Sequence, residues 1–413
     1  MARVLYVAFD VVPSPKGAST HITHFVRGLS EAGHAVDLLT AGDGLLPPED
    51  DYAGTHHLRI ATGAEGHFLA RAQRFDRTVA EHVAQAGPYA VAHYRSVWGG
   101  LAAAQARARG HRTLFEVNGL PSIELKYHYP GLREPSPDAT ALLAKVREQE
   151  LAALALSDHV ICPSAVTRAY LASLGVPRGK ITVIPNGVSP DEFYPTPLPA
   201  LDGRTPTILY IGTLADWQGL EILITALPLV LAQRPVRLRI VGRGRGRQRK
   251  ALLKRIRKLG LGEAVSVEPA VPHHEVPALL AEADLCAAPL AVNDRNLTQG
   301  CCPIKVIECL AAGRPLVAAN LPVVRELARE EVDALLFAPN DPTDLARQIL
   351  RLLDDRALSE RLAAAGAEHA RTTFTWHAAQ KKLLRVYDRL LEVESRAASQ
   401  AMVRGACAHG ATR

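Results

Sequence analysis

Residues 4–40 read VLYVAFDVVPSPKGASTHITHFVRGLSEAGHAVDLLT. The first apolar residues, 4–8, predict a β-strand, and the breaker-rich residues 13–17 predict a loop. Apolar residues at helical spacing predict a helix over 21–32, and a second strand follows over 34–40. A strand, a helix and a strand in this order are the building block of a parallel sheet, so the chain opens as an α/β protein.

The alternation continues on both sides of a proline-rich passage. Residues 190–206 contain Pro190, Pro195, Pro197 and Pro199, which resist both helix and central strand, so we predict a linker there. Further strands are predicted at 89–93, 113–117, 159–162 and 181–184 before the linker, and at 207–211, 236–241, 264–267, 285–289 and 315–319 after it. Helices are predicted at 220–233, 248–259 and 305–312, and from 341 through 394.

This pattern predicts two tandem doubly wound, Rossmann-like α/β domains that face each other across a cleft. The predicted boundaries are a first domain at 1–189, the linker at 190–206, a second domain at 207–375, a helix at 376–395 that crosses back, and a flexible tail at 396–413. Doubly wound sheets bind ligands at the carboxyl ends of their strands. The cleft is therefore the predicted site.

The composition is that of a globular protein with excess positive charge. The 413 residues are 48% hydrophobic and 22% charged, the formal net charge is +6 and the pI is about 9.0. Such a charge suits an anionic partner, for example a nucleotide diphosphate or an anionic lipid headgroup. Aromatic residues are only 5% and are not interleaved with the basic stretch 243–258, which disfavours nucleic acid as a partner.

Cysteine usage and hydropathy predict a cytoplasmic protein. The six cysteines are scattered without C-x-x-C spacing, which is typical of a reducing compartment. No apolar run in the sequence reaches the ~18 residues that a membrane span requires. Any membrane contact is therefore expected to be peripheral, at the inner face.

Short motifs stand in order along nearly the whole chain: PSPKGASTHI (13–22), GHAV (33–36), VIPNGV (183–188), YIGTL (210–214) and PIKVIECLAAGRPLVA (303–318). Together they resemble the landmarks of glycosyltransferase family 4. The resemblance implies a GT-B fold with an N-terminal acceptor side and a C-terminal donor-binding domain. It also implies a nucleotide diphosphate-sugar donor and retention of anomeric configuration, with neither a metal nor another cofactor. The acceptor would be a hydroxyl of a glycan, lipid or small molecule, as in polysaccharide biosynthesis.

The leading donor ligand is Lys305, in the first turn of the predicted helix 305–312. The turn before it, formed by Gly300, Cys301, Cys302 and Pro303, would direct free backbone N–H groups and this lysine toward the diphosphate. The alternative is a solvated lysine. We favour function because the helix dipole disfavours a structural lysine in a first turn.

Glu308 follows one turn later. The resemblance assigns it to the second acid of the family's paired-glutamate motif, which contacts the donor ribose. The alternative is an i, i+3 partner of Lys305.

Departures from the family pattern concern charge. After Gly212, the places where the family usually carries an arginine and a lysine hold Thr213 and Gln218. Lys305, Arg243 and Arg245 are candidates to compensate, although a solvated basic turn explains the two arginines equally well.

Two further departures concern catalysis. Gly300 occupies the place of the family's first motif glutamate, and Asn118 occupies the place where many members have a histidine that contacts the donor sugar. Asn118 can hydrogen-bond a sugar hydroxyl but cannot exchange a proton near neutral pH. Catalysis would then rest on Lys305, Glu308 and Asn118 through leaving-group stabilisation and positioning.

The remaining candidates line the predicted cleft. Gly17 matches the small residue that lets backbone approach the donor phosphate, and Val271 lies in the loop that reads the nucleobase, although an ordinary turn explains Gly17 as well. His21, His93 and Arg95 are candidate acceptor contacts, with a surface role as the alternative for His21. The aromatic residues 123–130 are predicted as a loop, either an acceptor lid or packed on the domain.

Two other functions stay open. The neutral residues at 118, 213, 218 and 300 also suit a catalytically impaired GT-B-like protein that binds a sugar nucleotide or a partner. A GT-B sugar-nucleotide epimerase is the other alternative, and it would need more acid/base residues in the cleft.

Overall fold

The computed structural model describes residues 1–63, 67–105, 110–200 and 202–409, with side chains as far as residue 392. The N-terminal half contains an eight-stranded sheet. Its strands are β1 (Arg3–Ala8), β2 (Ala35–Gly42), β3 (Glu49–Tyr52), β4 (Thr55–Ala61), β5 (Val91–Tyr94), β6 (Arg112–Glu116), β7 (His159–Cys162) and β8 (Ile181–Val183). Their order is β3-β4-β2-β1-β5-β6-β7-β8. All neighbours pair in parallel except β3, which is antiparallel to β4.

The second sheet has six strands, all paired in parallel. They are β9 (Thr207–Ile211), β10 (Arg237–Val241), β11 (Val265–Glu268), β12 (Leu285–Ala288), β13 (Leu316–Ala319) and β14 (Leu335–Phe337). Their order, β11-β10-β9-β12-β13-β14, reverses direction between β9 and β12, as the order of the first sheet does between β1 and β5. Such switch points open a crevice for ligands at the carboxyl ends of the strands.

Helices cover these sheets. They are α1 (Gly17–Glu31), α2 (Phe68–Gln85), α3 (Val97–Gln105), α4 (Pro121–His128), α5 (Pro137–Leu156), α6 (Ala165–Ser173), α7 (Leu220–Leu231), α8 (Gly246–Lys258), α9 (Val276–Ala281), α10 (Ile304–Ala311), α11 (Pro322–Arg325), α12 (Pro342–Asp354), α13 (Arg356–Thr373) and α14 (Trp376–His409). Successive residues of β1 enter different cores, since Leu5 packs on one face of the sheet and Tyr6 on the other. Burial on both faces explains why β1 is apolar along almost its whole length.

The chain crosses between the two halves twice, at neighbouring points. Val188 N donates to Phe374 O at 2.9 Å, and Trp376 N donates to Val188 O at 3.2 Å. Trp376, Leu383 and Tyr387 of α14 then join the core formed by β1 and α1. The architecture is the predicted one: two Rossmann-like α/β domains with C-terminal helices that pack back.

The structure corrects several details of the sequence prediction. Strands β3, β4 and β14 were not expected, and residues 123–130 are not a loop, because α4 occupies most of them, with Pro121 at its first turn. Helix α14 spans Trp376–His409, residues 410–413 lie outside the described part, and the flexibility of the tail 396–413 stays a prediction. None of the described helices is both long enough and apolar enough to cross a membrane.

His24 packs against α14, and its protonation makes the stability of the fold depend on pH. Its ring stacks on Trp376 with centroids 4.5 Å apart, and burial, with the neighbouring Arg27, lowers its pKa to about 3. Since the unfolded chain protonates this ring near pH 6.5, stability is full above that value and falls as the pH drops toward the folded pKa. At pH 5, about 1.5 units lower at about 1.4 kcal/mol per unit, His24 alone costs about 2 kcal/mol.

We therefore expect His24→Phe to reduce the loss of thermal stability between pH 7.5 and pH 5, because phenylalanine keeps the stacking and cannot be protonated. The measurement is the melting temperature of both proteins across this range. The matched control is His274→Phe at an exposed histidine, which should follow the native protein. An unchanged pH response in His24→Phe would contradict the assignment.

Candidate active site

Lys305 lies in the first turn of α10 and is only 8% exposed. Its Nζ donates to Gln218 Oε1 at 2.7 Å and lies 4.0 Å from the centre of the Tyr210 ring. Burial lowers the pKa of Lys305 to about 7. An amine held by neutral groups gains charge and binding energy when an anion arrives. The alternative of a solvated surface lysine is therefore wrong.

Glycine 212 leaves room for that amine. It follows β9 with φ of +143°, and a Cβ at this position would lie 2.6 Å from Lys305 Nζ. The next residue, Thr213, accepts from Gln218 Nε2 at 3.3 Å through its side chain, and its carbonyl accepts from Tyr210 at 2.6 Å. The two neutral substitutes for the family cations thus contact each other, and Gln218 connects them to Lys305.

A second cation, half-buried, comes from a segment that carries none of the motifs. Arg295 lies on the π-helical turn Arg295–Gln299, just before Gly300. Its guanidinium donates to Glu124 Oε1 at 2.9 Å and stacks 4.9 Å from the Trp217 ring. Its position directly before the Gly300 turn was the one available signal. Arg295 is near enough to depress the pKa of Lys305, so the donor half holds more positive charge than the motifs indicated.

Glu308 pairs with a histidine. Its Oε1 lies 2.7 Å from His273 Nε2, while Lys305 donates to Gln218 instead, so the alternative of a direct Lys305 partner is not what the structure shows. Burial would lower the pKa of His273, but the hydrogen bond and charge of Glu308 outweigh it and raise that pKa. His273 follows the half-buried Val271 by two residues, which brings the expected nucleobase loop next to the expected ribose ligand.

On the N-terminal side, the central group is Glu116 at the end of β6, which the sequence analysis missed. Its carboxylate accepts from Tyr6 at 2.7 Å, from Arg95 Nε at 2.6 Å and from Asn118 Nδ2. His21 Nε2 lies 2.9 Å from the same carboxylate. Burial would raise the pKa of Glu116, but His21 and Arg95 outweigh it and hold the pKa well below its ordinary value.

This cluster corrects the three acceptor candidates. His93 has no exposed surface and lies 3.1 Å from Glu116 and 3.0 Å from the Tyr387 hydroxyl, so it packs behind the cleft and cannot touch an acceptor directly. His21 is 3% exposed and is not a surface residue. Arg95 is 7% exposed, and it connects Glu116 to Asp10, two residues after β1.

The Glu116 cluster is connected through Asn186 to the turn formed by residues 300–303, which precedes α10. His21 Nδ1 lies 2.7 Å from Asn186 Oδ1, and Asn186 Nδ2 donates to the Cys302 carbonyl at 2.7 Å. A Cβ on Gly17 would lie 3.3 Å from Ile304, so the first turns of α1 and α10 approach closely. Cys301, Cys302 and Pro303 therefore lie between the Glu116 cluster and Lys305, with both cysteines buried.

The two arginines after β10, Arg243 and Arg245, differ in their contacts. Arg245 donates to the His128 carbonyl and stacks 4.7 Å from the Tyr129 ring, so it contacts the N-terminal half and is not simply solvated. Arg243 is exposed, as both a diphosphate ligand and a residue of a solvated turn would be before the donor binds. Lys126 and Tyr127 of α4 also cross the cleft, to Asp294.

Gly300 explains the missing motif glutamate. Its φ is +80°, and a Cβ would lie 2.6 Å from Thr167 Oγ1 and 2.7 Å from Thr167 N. We therefore expect Gly300→Glu to lower the melting temperature, by a strain of about 1–3 kcal/mol or more, and to add no activity. Gly262→Glu, at an open position without positive φ, is the control. A gain in turnover would contradict the conclusion that the positive φ and the nearby Thr167 exclude a glutamate at position 300.

Two Rossmann-like domains that face each other across a cleft define the GT-B fold. Residues 15–192 match the model described as Glycosyltransferase Family 4, and residues 205–355 match the one described as Glycosyl transferases group 1. The chain belongs to glycosyltransferase family 4 and is an enzyme of the glycosyltransferase class.

Relatives agree with this assignment, and solved structures agree with the fold. The chain is 26% identical over 401 residues to the GDP-mannose-dependent alpha-(1-6)-phosphatidylinositol monomannoside mannosyltransferase of Mycobacterium tuberculosis, across 93% of this chain and 97% of the relative. It is 27% identical over 397 residues to D-inositol 3-phosphate glycosyltransferase 1 of Catenulispora acidiphila, across 91% of each. Sucrose-phosphate synthase from Thermosynechococcus elongatus superposes with a TM-score of 0.78 at 22% identity, over 95% of this chain and 100% of that chain. HepE of Anabaena, in complex with UDP-glucose, superposes with a TM-score of 0.71 at 18% identity, over 94% and 100%.

Proposed function

We propose that this protein transfers a sugar from a nucleotide diphosphate-sugar to a hydroxyl acceptor, with retention of configuration and without a metal ion. The observation that carries the proposal is Lys305, a buried amine without a contacting carboxylate among the described residues, at the start of α10. A leaving diphosphate needs positive charge and N–H donors at this point.

In this mechanism Lys305 and the first N–H groups of α10 bind the diphosphate. Charge builds up on the leaving phosphate oxygen as the bond to the anomeric carbon breaks, and Lys305 stabilises that charge. The acceptor hydroxyl forms the new bond and gives its proton to the departing phosphate, so no side-chain base is required.

Other residues position the donor. Asn118, oriented by Glu116, donates to a hydroxyl of the donor sugar, and Glu308 accepts from the ribose. Gly17, Gly212, Gly300 and Val271 contribute close backbone approach, and Arg295 adds charge to the donor half. We place the reaction in the cytoplasm.

The test is release of free nucleotide from a panel of sugar nucleotides, with product anomers assigned by NMR and activity compared before and after chelator treatment. We expect turnover that chelator leaves unchanged, and products with the donor's anomeric configuration. Loss of activity that a divalent ion restores would contradict the metal-independent mechanism. Inverted products would contradict retention.

A second candidate is a protein that binds the donor without transferring the sugar. The observation that favours it is Gly300, whose surroundings exclude the family's first glutamate. Tight donor binding with no nucleotide release, across donors and acceptors, would establish it.

A further inference from the structure

An apolar cavity of about 310 Å³ opens between α2, α4 and α5 on the N-terminal half. It is lined mainly by Phe68, Leu69, Leu125, Tyr129, Leu132 and Leu142. None of the residues assigned to the donor belongs to it. An apolar cavity holds water poorly and gains free energy when hydrocarbon enters.

One wall of this cavity is continuous with the donor half of the cleft. Leu125 lies in α4, and Tyr129 directly follows that helix. Glu124, next to Leu125 in the chain, accepts hydrogen bonds from Arg295 and Gln299. A molecule in the cavity therefore contacts α4, the same helix that pairs with Arg295 of the donor half through Glu124.

The other wall leads to the Glu116 cluster. The Phe68 ring lies 5.7 Å from the Phe9 ring and 5.7 Å from the Tyr129 ring. Phe9 immediately precedes Asp10, which is bonded to Arg95. The cavity thus adjoins the carboxyl end of β1, where the crevice of the first sheet opens.

Positive charge stands at the edge of the cavity. The Arg245 guanidinium lies 4.7 Å from the centre of the Tyr129 ring, and no carboxylate of the described residues forms an ion pair with it. Helix α8 begins directly after Arg245 and exposes further cations, Arg247, Lys250, Lys254, Arg257 and Lys258. Hydrocarbon is therefore accommodated next to a surface that attracts anions.

We propose that this cavity is an acceptor subsite for a hydrocarbon chain, so that the acceptor is an amphiphile. Its chain fills the cavity, its acidic group lies near Arg245 and its hydroxyl points into the cleft. This inference rests on the proposed function, because it places the acceptor opposite the donor site.

The test measures binding of alkyl phosphates from methyl to decyl, below their micelle concentrations, by calorimetry. We expect affinity to rise about fourfold for each added methylene until the cavity is filled. Leu142→Trp should fill the cavity and weaken decyl phosphate binding at least ~10-fold. Leu151→Trp, on the exposed side of the same helix, should leave binding unchanged.

Arg245→Ala should weaken decyl phosphate but not decyl glucoside, and Lys381→Ala, at an exposed lysine of α14 outside this surface, should affect neither. Affinity independent of chain length in the native protein would overturn the proposal without any variant. Equal effects of Leu142→Trp and Leu151→Trp would also overturn it, and an unchanged Arg245→Ala would overturn the role of the acidic group. If chain-dependent binding occurs but no donor is ever turned over, the proposed transfer fails and the hydrocarbon site stands.

Discussion

Replacing Lys305 with alanine is expected to lower turnover of the nucleotide-sugar by ~10²–10³-fold, because the variant loses the amine that stabilises the leaving diphosphate. Donor binding should weaken as well. The fold should survive, since Gln218 is the one hydrogen-bond partner of Lys305 Nζ among the described residues, and the neighbouring Tyr210 ring stays in the core. Steady-state nucleotide release and calorimetric donor binding measure the two effects.

The matched control for this prediction is Lys250→Ala, at an exposed lysine of α8. It should retain native turnover and binding. If Lys305→Ala kept both as well, while its melting temperature stayed near the native one, Lys305 would not be the diphosphate ligand.

Glu116→Ala is expected to have the largest effect on stability. The side chain is 1% exposed and holds Tyr6, His21, Arg95 and Asn118 together. Removing one partner of a buried ion pair costs about 3–5 kcal/mol, and we expect about 3 because Arg95 keeps its contact with Asp10. Denaturant unfolding measures the change.

A double-mutant cycle separates this charge effect from general damage. Glu116→Met with Arg95→Met should be more stable than the sum of the single losses predicts, because neither charge is then left unpaired. Glu148→Ala, at an exposed site on α5, should be close to native. Strict additivity at Glu116 and Arg95 would contradict the coupled network.

The sequence predicted those parts of the molecule whose signals are local. The two sheets follow from apolar runs such as residues 4–8 and 207–211. Lys305 was predicted because the turn from Gly300 to Pro303 directly precedes a helix in the chain. The prediction for His93 was wrong because β5 extends to Tyr94 and so directs His93 into the core.

What the sequence could not predict depends on residues far apart in the chain. Glu116 is a single acid in an apolar strand, and its partners come from β1, α1, β5 and the residue after β5. Arg295 meets Glu124 only when the two domains face each other. A one-dimensional pattern does not contain such contacts.

If Lys305 binds the donor diphosphate, nucleotide binding must be accompanied by proton uptake. Since burial lowers the pKa of the free amine to about 7, most molecules at pH 8 lack this proton, and a bound diphosphate would raise the pKa and restore it. Calorimetry with UDP, GDP and ADP at pH 8, in two buffers of different ionisation enthalpy, measures the protons taken up. We predict uptake approaching one proton for the nucleotide that binds, and none in Lys305→Ala. Binding without proton uptake in the native protein would contradict the claim.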